Sequence, residues 1–309
     1  MGAPFSEMPV CVSIVIPCFN SADCIARSIL SSLAQTYANC DICVIDDGST
    51  DGSLSIIRSF GGRIRWETGP NRGAPHARNR GLELAHGEYI QFLDADDVLE
   101  PSKIQHQMDL ICQAGTPIDM VVGASKRIYI DNRVELLSPA SDPWVGLIQT
   151  RLGITSANLF RRAALLGVGG WNENLKSSQE YELMFRLLKA RASVVSDPEP
   201  LTLIYQRDGS ISNTNKAGNW LRYVELRREI WQHLESRQIL TDGLREMLLE
   251  FLFLGLRNLY RHCSKEACAL HGQLFSRGYA PKCCSLPYRA LYRVFGFRAV
   301  QRIVQCFGK

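Results

Sequence analysis

Between Cys11 and Asp97 the chain alternates short apolar, β-branched runs with longer helical patterns, and this alternation restricts the fold more than any other feature. The run Val12 to Pro17, VSIVIP, suits a strand covered on both faces, and such strands separated by helices build a largely parallel sheet. A helix is expected from about Ala22, with Ser21 as N-cap and Ile25, Ile29 and Leu33 on one face. Strands follow at Asp41 to Asp46 and Arg63 to Thr68, with a helix from about Asp51 between them. A helix from about Ala74 to Ala85 leads into a strand at Glu88 to Leu93, and Ile118 to Ala124 reads as a fifth strand, with Pro101 fitting the first turn of a helix. Lys126 to Gly153 is less regular, and SPASDPW within it reads as a loop. A helix over Ser178 to Ala190 and a last strand, LTLIYQ, complete this part. Past the turn-rich Gly209 to Asn215 the pattern turns helical, which predicts domains at 1–215 and 216–309.

At 309 residues and 46% hydrophobic, the chain can bury a substantial core. Its net charge of +4 is mild, and nucleic acid is not an expected partner. The eleven cysteines lack the spacing of a secreted disulfide scaffold, so a reducing, cytoplasmic setting is expected. Cys40 and Cys43 have C-x-x-C spacing, but in an extended run odd spacings face opposite ways and a shared zinc is disfavoured. Cys263, Cys268, Cys283 and Cys284, near His262 and His271, leave a zinc site imaginable and no more. The first ten residues lack the charged start and apolar stretch of a signal peptide, and the greasiest run, Met247 to Leu256, is far short of a membrane span.

The stretch YIQFLDADD, Tyr89 to Asp97, ends a buried strand in three carboxylates. Two carboxylates about 6 Å apart repel by roughly 3 kcal/mol at an effective dielectric of about 20, so such a cluster calls for a positive partner. In a parallel sheet, ligands bind beyond the carboxyl ends of the strands. Three such ends carry polar groups here: Pro17-Cys18-Phe19-Asn20, Asp46-Asp47-Gly48-Ser49 and Asp94-Ala95-Asp96-Asp97. If the last remains extended, Asp94 and Asp96 point the same way. Their hard oxygens suit Mg²⁺ or Mn²⁺ completed by water and phosphate, and a solvated, helix-capping turn is the plainer alternative. No G-x-G-x-x-G follows the first strand, which argues against a dinucleotide site.

The motifs VSIVIPCFN, VIDDGSTDGS, NRGAPHARNRGLELAHGEYIQFLDADD, GGWNEN and SSQEYELMFRLL, in this order, resemble those of the family-two inverting glycosyltransferases of the GT-A fold, over about Val12 to Ser212. The resemblance implies an α/β, Rossmann-like, mostly parallel sheet flanked by helices, with a helical C-terminal region after it. It also implies a nucleotide-diphospho-sugar donor, a UDP-sugar foremost, and a divalent metal. Sugar would pass with inversion to a hydroxyl of a glycan or lipid-linked acceptor in polysaccharide or envelope assembly. Carried over by position, Asp47 resembles the residue that accepts a hydrogen bond from the base, with Pro17 and Phe19 lining the nucleoside pocket. Asp96 resembles the direct metal ligand, and Asp94 its companion near the ribose or a metal-bound water. Asp46 reads as a turn residue. Phe19 stands where the family often has tyrosine, so a hydroxyl contact is missing there, and core packing is its plain alternative. Arg72 and Arg78 are the preferred phosphate contacts of the arginine-rich helix start. Glu180 occupies the base position, one methylene longer than the usual aspartate. Ser177-Ser178-Gln179-Glu180 also fits a capping box, and Trp171 fits either acceptor stacking or core filling.

After Glu266 no acidic residue occurs, while Arg277, Lys282, Arg289, Arg293, Arg298, Arg302 and Lys309 follow. Around Tyr288 to Phe307 the pattern is a basic amphipathic helix broken at Gly296, with Leu291, Val294 and Phe295 on its first apolar side. Attachment to an anionic membrane face and packing on the protein both stay open. Two other functions remain in view: a nucleotidyltransferase, which would want a glycine-rich basic loop after the first strand, and a catalytically silent sugar-nucleotide-binding module.

Overall fold

The computed structural model describes residues 10–206, 215–276 and 278–307, apart from the Phe307 side chain. The readings placed on the first nine residues, on most of the 209–215 stretch, on Arg277, on the Phe307 side chain and on Lys309 lie outside it. The chain divides into two compact units, Met1–Asp208 and Gly209–Lys309.

The first unit begins β1 (Val12–Cys18), α1 (Ile25–Leu33), β2 (Cys40–Asp46), α2 (Ser53–Ser59), β3 (Arg65–Thr68), α3 (Ala74–Leu84) and β4 (Tyr89–Phe92). It continues with β5 (Val98–Leu99), α4 (Lys103–Ala114), β6 (Met120–Gly123), β7 (Ser125–Ile128), β8 (Val134–Leu137) and α5 (Pro143–Gln149). β9 (Leu159–Arg161), α6 (Arg162–Gly167), α7 (Gln179–Lys189), β10 (Val194–Asp197) and β11 (Thr202–Tyr205) complete it. Among the described residues the main sheet has seven strands in the order β10-β6-β9-β4-β1-β2-β3. β1 pairs in parallel with β2 and β4, and all seven of its residues are buried, as a strand covered on both faces must be. The chain winds outward from β1 through β2 to β3 and then returns to β4 on the other side of β1. That reversal opens a crevice at the carboxyl ends of β1 and β4, where doubly wound sheets bind ligands.

Gly81 of α3 lets this helix press on β1: a Cβ there would stand 2.1 Å from Val15 Cγ1. β9 runs antiparallel to both β4 and β6. Its entry therefore lies at the same edge as the exit of β4, with Leu159 opposite Gln91. A second sheet of four strands, ordered β5-β11-β7-β8, also forms.

Several local expectations change. α1 starts at Ile25, its N-cap position is Cys24, and the Ser21 hydroxyl donates to the Phe19 carbonyl instead of capping the helix. The SPASDPW stretch is not all loop: the Asp142 carboxylate accepts from Val145 N–H at 2.8 Å and Pro143 occupies the first turn, so α5 begins inside it. Asp94 to Asp97 is not extended either. Asp97 N–H closes a turn on the Asp94 carbonyl at 3.0 Å, so strand alternation does not govern where these carboxylates point.

The second unit consists of α8 (Lys216–Ser236), α9 (Asp242–Tyr260), α10 (Ser264–Leu274) and α11 (Leu286–Phe307). Its core gathers round Phe253, which meets the rings of Phe275, Tyr279, Tyr288, Tyr292 and Phe297 at 5.3–6.2 Å. His271 stacks on Phe275 and Phe297, and burial pushes its imidazole down to about 4. α11 is interrupted at Gly296, where φ is 74°. Val294 and Phe295, which the helical pattern puts on an apolar side, are 73% and 58% exposed at this kink, while Tyr288, Tyr292, Phe297 and Val300 pack inward. No helix among the described residues is long and apolar enough to cross a membrane.

Candidate active site at the β1, β2 and β4 strand ends

The loops after β1 and β2 are laced together at the edge of the crevice. Asn20 N–H donates to Ser49 Oγ at 3.0 Å, Thr50 N–H donates to Asn20 Oδ1 at 2.8 Å, and the Asp51 carboxylate accepts from the backbone of Ala22 and Ser53. Pro17 is buried in β1, whereas Phe19 is 44% exposed and does not fill the core. Asp46 is buried and accepts from Thr68 Oγ1 at 2.6 Å and Ser49 N–H at 3.3 Å, the turn geometry its position suggested. Asp47 turns toward the loop before α3 and accepts from Arg72 N–H at 2.9 Å and Gly73 N–H at 2.8 Å. Gly48 permits this at φ 75°, with the Asn71 backbone 2.7 Å from where a Cβ would stand.

The acidic turn is held on several sides. Ser28 Oγ lies 2.7 Å from the Ala95 carbonyl and 2.6 Å from that of Asp97, and Arg27 donates to the Asp96 carbonyl at 3.0 Å. Asp94 meets Arg78 at 2.6 Å. Part of the positive charge demanded by the cluster is thus a guanidinium of the protein. Arg78, read from the sequence as a phosphate contact, is buried beneath the turn, 4.6 Å from the Trp171 ring centroid and 3.3 Å from Gln179 Oε1. Arg72 is more open, with its side chain 58% exposed and 3.6 Å from Glu173. Asp97 is the buried carboxylate: burial first, then the charge of Asp94, holds its carboxyl well above the usual range, while Ser156 Oγ donates to it at 2.5 Å.

Glu180 makes no capping box. Ser178 stands at the N-cap of α7 in the left-handed region, φ 55°, without a side-chain cap bond. The Glu180 carboxylate instead accepts from Thr155 Oγ1 at 2.8 Å. Burial pushes its pKa upward and the Asp94 charge adds to the rise, against the Thr155 hydrogen bond and the Arg78 charge. Arg78 joins the groups, with one nitrogen on Asp94 and the other on Gln179, the neighbour of Glu180. Trp171 is 2% exposed and meets Phe92 edge-on at 5.2 Å, so it fills the core and stacks on no acceptor.

Asp94 and Asp96 offer only hard oxygen donors from a single turn, and one Asp94 oxygen is already given to Arg78. Such a set fits Mg²⁺ or Mn²⁺, which take one or two protein carboxylates and complete their shell with water and phosphate oxygens. Thr155 and Ser156 escaped the sequence reading. Their only signal was their place shortly before the apolar pair Leu159-Phe160, and the reversal of β9 that brings them to this edge is not visible in a three-residue strand.

Residues 13–165 match the family model described as glycosyl transferase family 2. An uncharacterized glycosyltransferase of Rickettsia typhi is 33% identical over 229 residues, 69% of this chain and 69% of that protein. A Rickettsia conorii counterpart is 31% identical over 71% of this chain, which spans only 38% of that longer protein. The succinoglycan biosynthesis protein ExoU of Rhizobium meliloti is 32% identical over 245 residues, 72% of this chain and 70% of that one. Among solved structures, S. aureus TarS 1-349 in complex with UDP-GlcNAc is similar with a TM-score of 0.64 at 17% identity, over 97% of this chain and 92% of that one. The mannosyltransferase PcManGT from Pyrobaculum calidifontis, in complex with GDP-Man and Mn²⁺, has a TM-score of 0.56 at 16% identity, over 99% and 90%. The fold is that of the GT-A glycosyltransferases. With its sheet reversal, its acidic turn and these relatives at a third identity, the chain belongs to glycosyl transferase family 2 and is a glycosyltransferase.

Proposed function

We propose that this glycosyltransferase moves a sugar with inversion from a nucleotide-diphospho-sugar, a UDP-sugar foremost, to a hydroxyl of a glycan or lipid-linked acceptor in polysaccharide or envelope assembly. The observation that carries the reading is Glu180: a half-buried carboxylate, oriented by Thr155 and linked through Gln179 and Arg78 to the acidic turn. A divalent ion at Asp94 and Asp96, when bound, supplies charge stabilisation for the departing diphosphate. Glu180 takes the acceptor proton as the hydroxyl oxygen attacks the anomeric carbon, and its raised pKa makes it a better base than a solvated glutamate. Phe19 and Pro17 border the nucleoside, Asp47 accepts from its base, and exposed Arg72 is the arginine available to phosphate. Arg78 acts by holding Asp94. A donor of this class is supported by the UDP-GlcNAc and GDP-Man complexes of the similar structures, the metal by the Mn²⁺ of the latter, and the polymer setting by the succinoglycan protein.

The test is release of nucleoside diphosphate from a panel of nucleotide sugars, with and without Mn²⁺, by the natural protein and Glu180→Gln. Loss of transfer with donor affinity kept supports the base; near-normal turnover removes Glu180 from the mechanism. A silent module would release nothing from any donor, and a nucleotidyltransferase would release pyrophosphate from a nucleoside triphosphate.

The acceptor side of the reading extends to an anionic membrane face, supported by exposed Leu286, Val294 and Phe295 on the acid-free terminal segment that carries Arg289, Arg293, Arg298 and Arg302. Cosedimentation with anionic but not neutral vesicles is the expected result, and equal behaviour with both ends that part.

A further inference from the structure

The segment entering β9 is fixed residue by residue. The Ser156 carbonyl accepts from Gln91 Nε2 at 2.9 Å, the Ala157 carbonyl from Gln107 Nε2 at 3.1 Å, and the Asn158 side chain accepts from Gly123 N–H at 3.0 Å while donating to the Leu152 carbonyl at 3.1 Å. Behind Gln91 stands the fully buried Lys103, whose ammonium donates to Gln91 Oε1, and behind Gln107 the buried Asp197, which accepts from it at 3.0 Å. Buried polar groups are costly unless each finds a partner, and here, Gln107 Oε1 excepted, they find one another beneath two adjacent hydroxyls. Those hydroxyls reach in different directions. Thr155 Oγ1 donates to Glu180 Oε2 at 2.8 Å, while Ser156 Oγ donates to Asp97 Oδ2 at 2.5 Å and accepts from Asp94 N–H at 3.1 Å. One residue therefore touches the proposed base, and its neighbour touches both ends of the acidic turn.

We propose that Thr155 and Ser156 are paired positioning residues, a rigid spacer between the carboxylate that receives the acceptor proton and the turn that holds the metal and diphosphate. The inference rests on the reading of Glu180 as base and of Asp94 and Asp96 as the metal turn. Thr155 holds the Glu180 carboxylate through its hydroxyl, on Oε2, and through its backbone N–H. Ser156 spans the turn from Asp94 to Asp97 and sets the spread of its carboxylates. Since the two are consecutive on an anchored backbone, the separation of base and metal turn is set by one peptide unit and not by the packing of distant helices. The two functions separate on mutation, which a purely structural role would not allow.

The charged groups facing Glu180 are Asp94 and Arg78, and Thr155 supplies the hydrogen bond that favours its ionised form. Thr155→Val, which keeps the shape and removes the donor, is expected to move the acid limb of the kcat profile upward by about one pH unit with donor KM unchanged, and Thr155→Ser to restore it. Ser156→Ala is expected to weaken Mn²⁺ binding about tenfold, read by the electron paramagnetic resonance of free Mn²⁺ in the presence of UDP, without moving the acid limb. Thermal unfolding accompanies each variant, and Thr155→Ala replaces Thr155→Val should that protein not fold. An unmoved acid limb in the Thr155 variants, or Mn²⁺ binding unchanged in Ser156→Ala, overturns the proposal while leaving Glu180 in place. The failure of the underlying reading looks different: Glu180→Gln itself then turns over normally.

Discussion

The two units bury different kinds of matter. In the first, Arg78, Gln91, Asp97, Lys103, Gln107 and Asp197 lie inside, each with named polar partners. In the second, the centre is Phe253 with five aromatic rings about it, and the half-buried His271 among them has its pKa pushed down to about 4. A core of rings is stabilised by area and edge-to-face geometry and tolerates small shifts, because contact between apolar surfaces has little direction. A core of charges has no such tolerance, since an unpaired buried polar group costs about 1–3 kcal/mol and a charge more. The second unit hides a cation too, Arg227 of α8, but seats it on the rings of Tyr223 and Phe251. The linked polar groups of the first unit are where geometry is set most tightly.

Five substitutions sharpen or break this contrast. The largest effect is expected from Glu180→Gln, with turnover falling by about 10²–10⁴ and donor binding and melting temperature near those of the natural protein. A collapse of the melting temperature instead would make Glu180 part of the scaffold. Next is Phe253→Ala, expected to destabilise the second unit by about 3–5 kcal/mol in denaturant titration, because the cavity left by a phenyl ring in a close-packed aromatic cluster does not close. Metal-stimulated hydrolysis of the donor by that variant, at a temperature where it is folded, should stay near normal; parallel loss of both would erase the division of labour. Gly81→Ala is expected to cost about 1–3 kcal/mol through its collision with Val15, measured the same way, with the pH profile of turnover unchanged.

The smallest effects are those of pH. Burial lowers Lys103 to about 7, so between pH 7 and about 10 the unfolded chain binds more protons than the folded one, and stability contributed by this site rises as pH rises through that window. Burial lowers His271 to about 4, so its contribution falls as pH drops from about 6.5 toward 4. Stability differences between the natural protein and Lys103→Met should therefore vary with pH on the alkaline side, and those for His271→Phe on the acid side. The reverse assignment, or two flat differences, would mean that these groups are not desolvated as described.

The strand ends were readable because their pattern is local: a strand buried on both faces is a continuous apolar run, and the residues that stop it are by construction at the sheet's edge. Asp46 as a turn residue follows from the same local logic. What tertiary structure alone decides stayed hidden. Nothing in the spacing of Arg78 says that it will lie under Asp94, because sixteen residues separate them along the chain and only the turn from α3 into β4 brings them together. The three residues of β9 and the two of β5 are too short to show a period. The capping-box pattern before α7 is the opposite case: a valid local signal overridden by a distant threonine. At the terminal helix, Val294 and Phe295 fit the apolar stripe of a straight helix, and Gly296 turns them out of it.

The bare contact of Gly81 with Val15 has one more consequence. With no side chain as cushion, helix and strand form a single wall, and any residue larger than glycine there would push Arg78, with its hold on Asp94, away from the sheet.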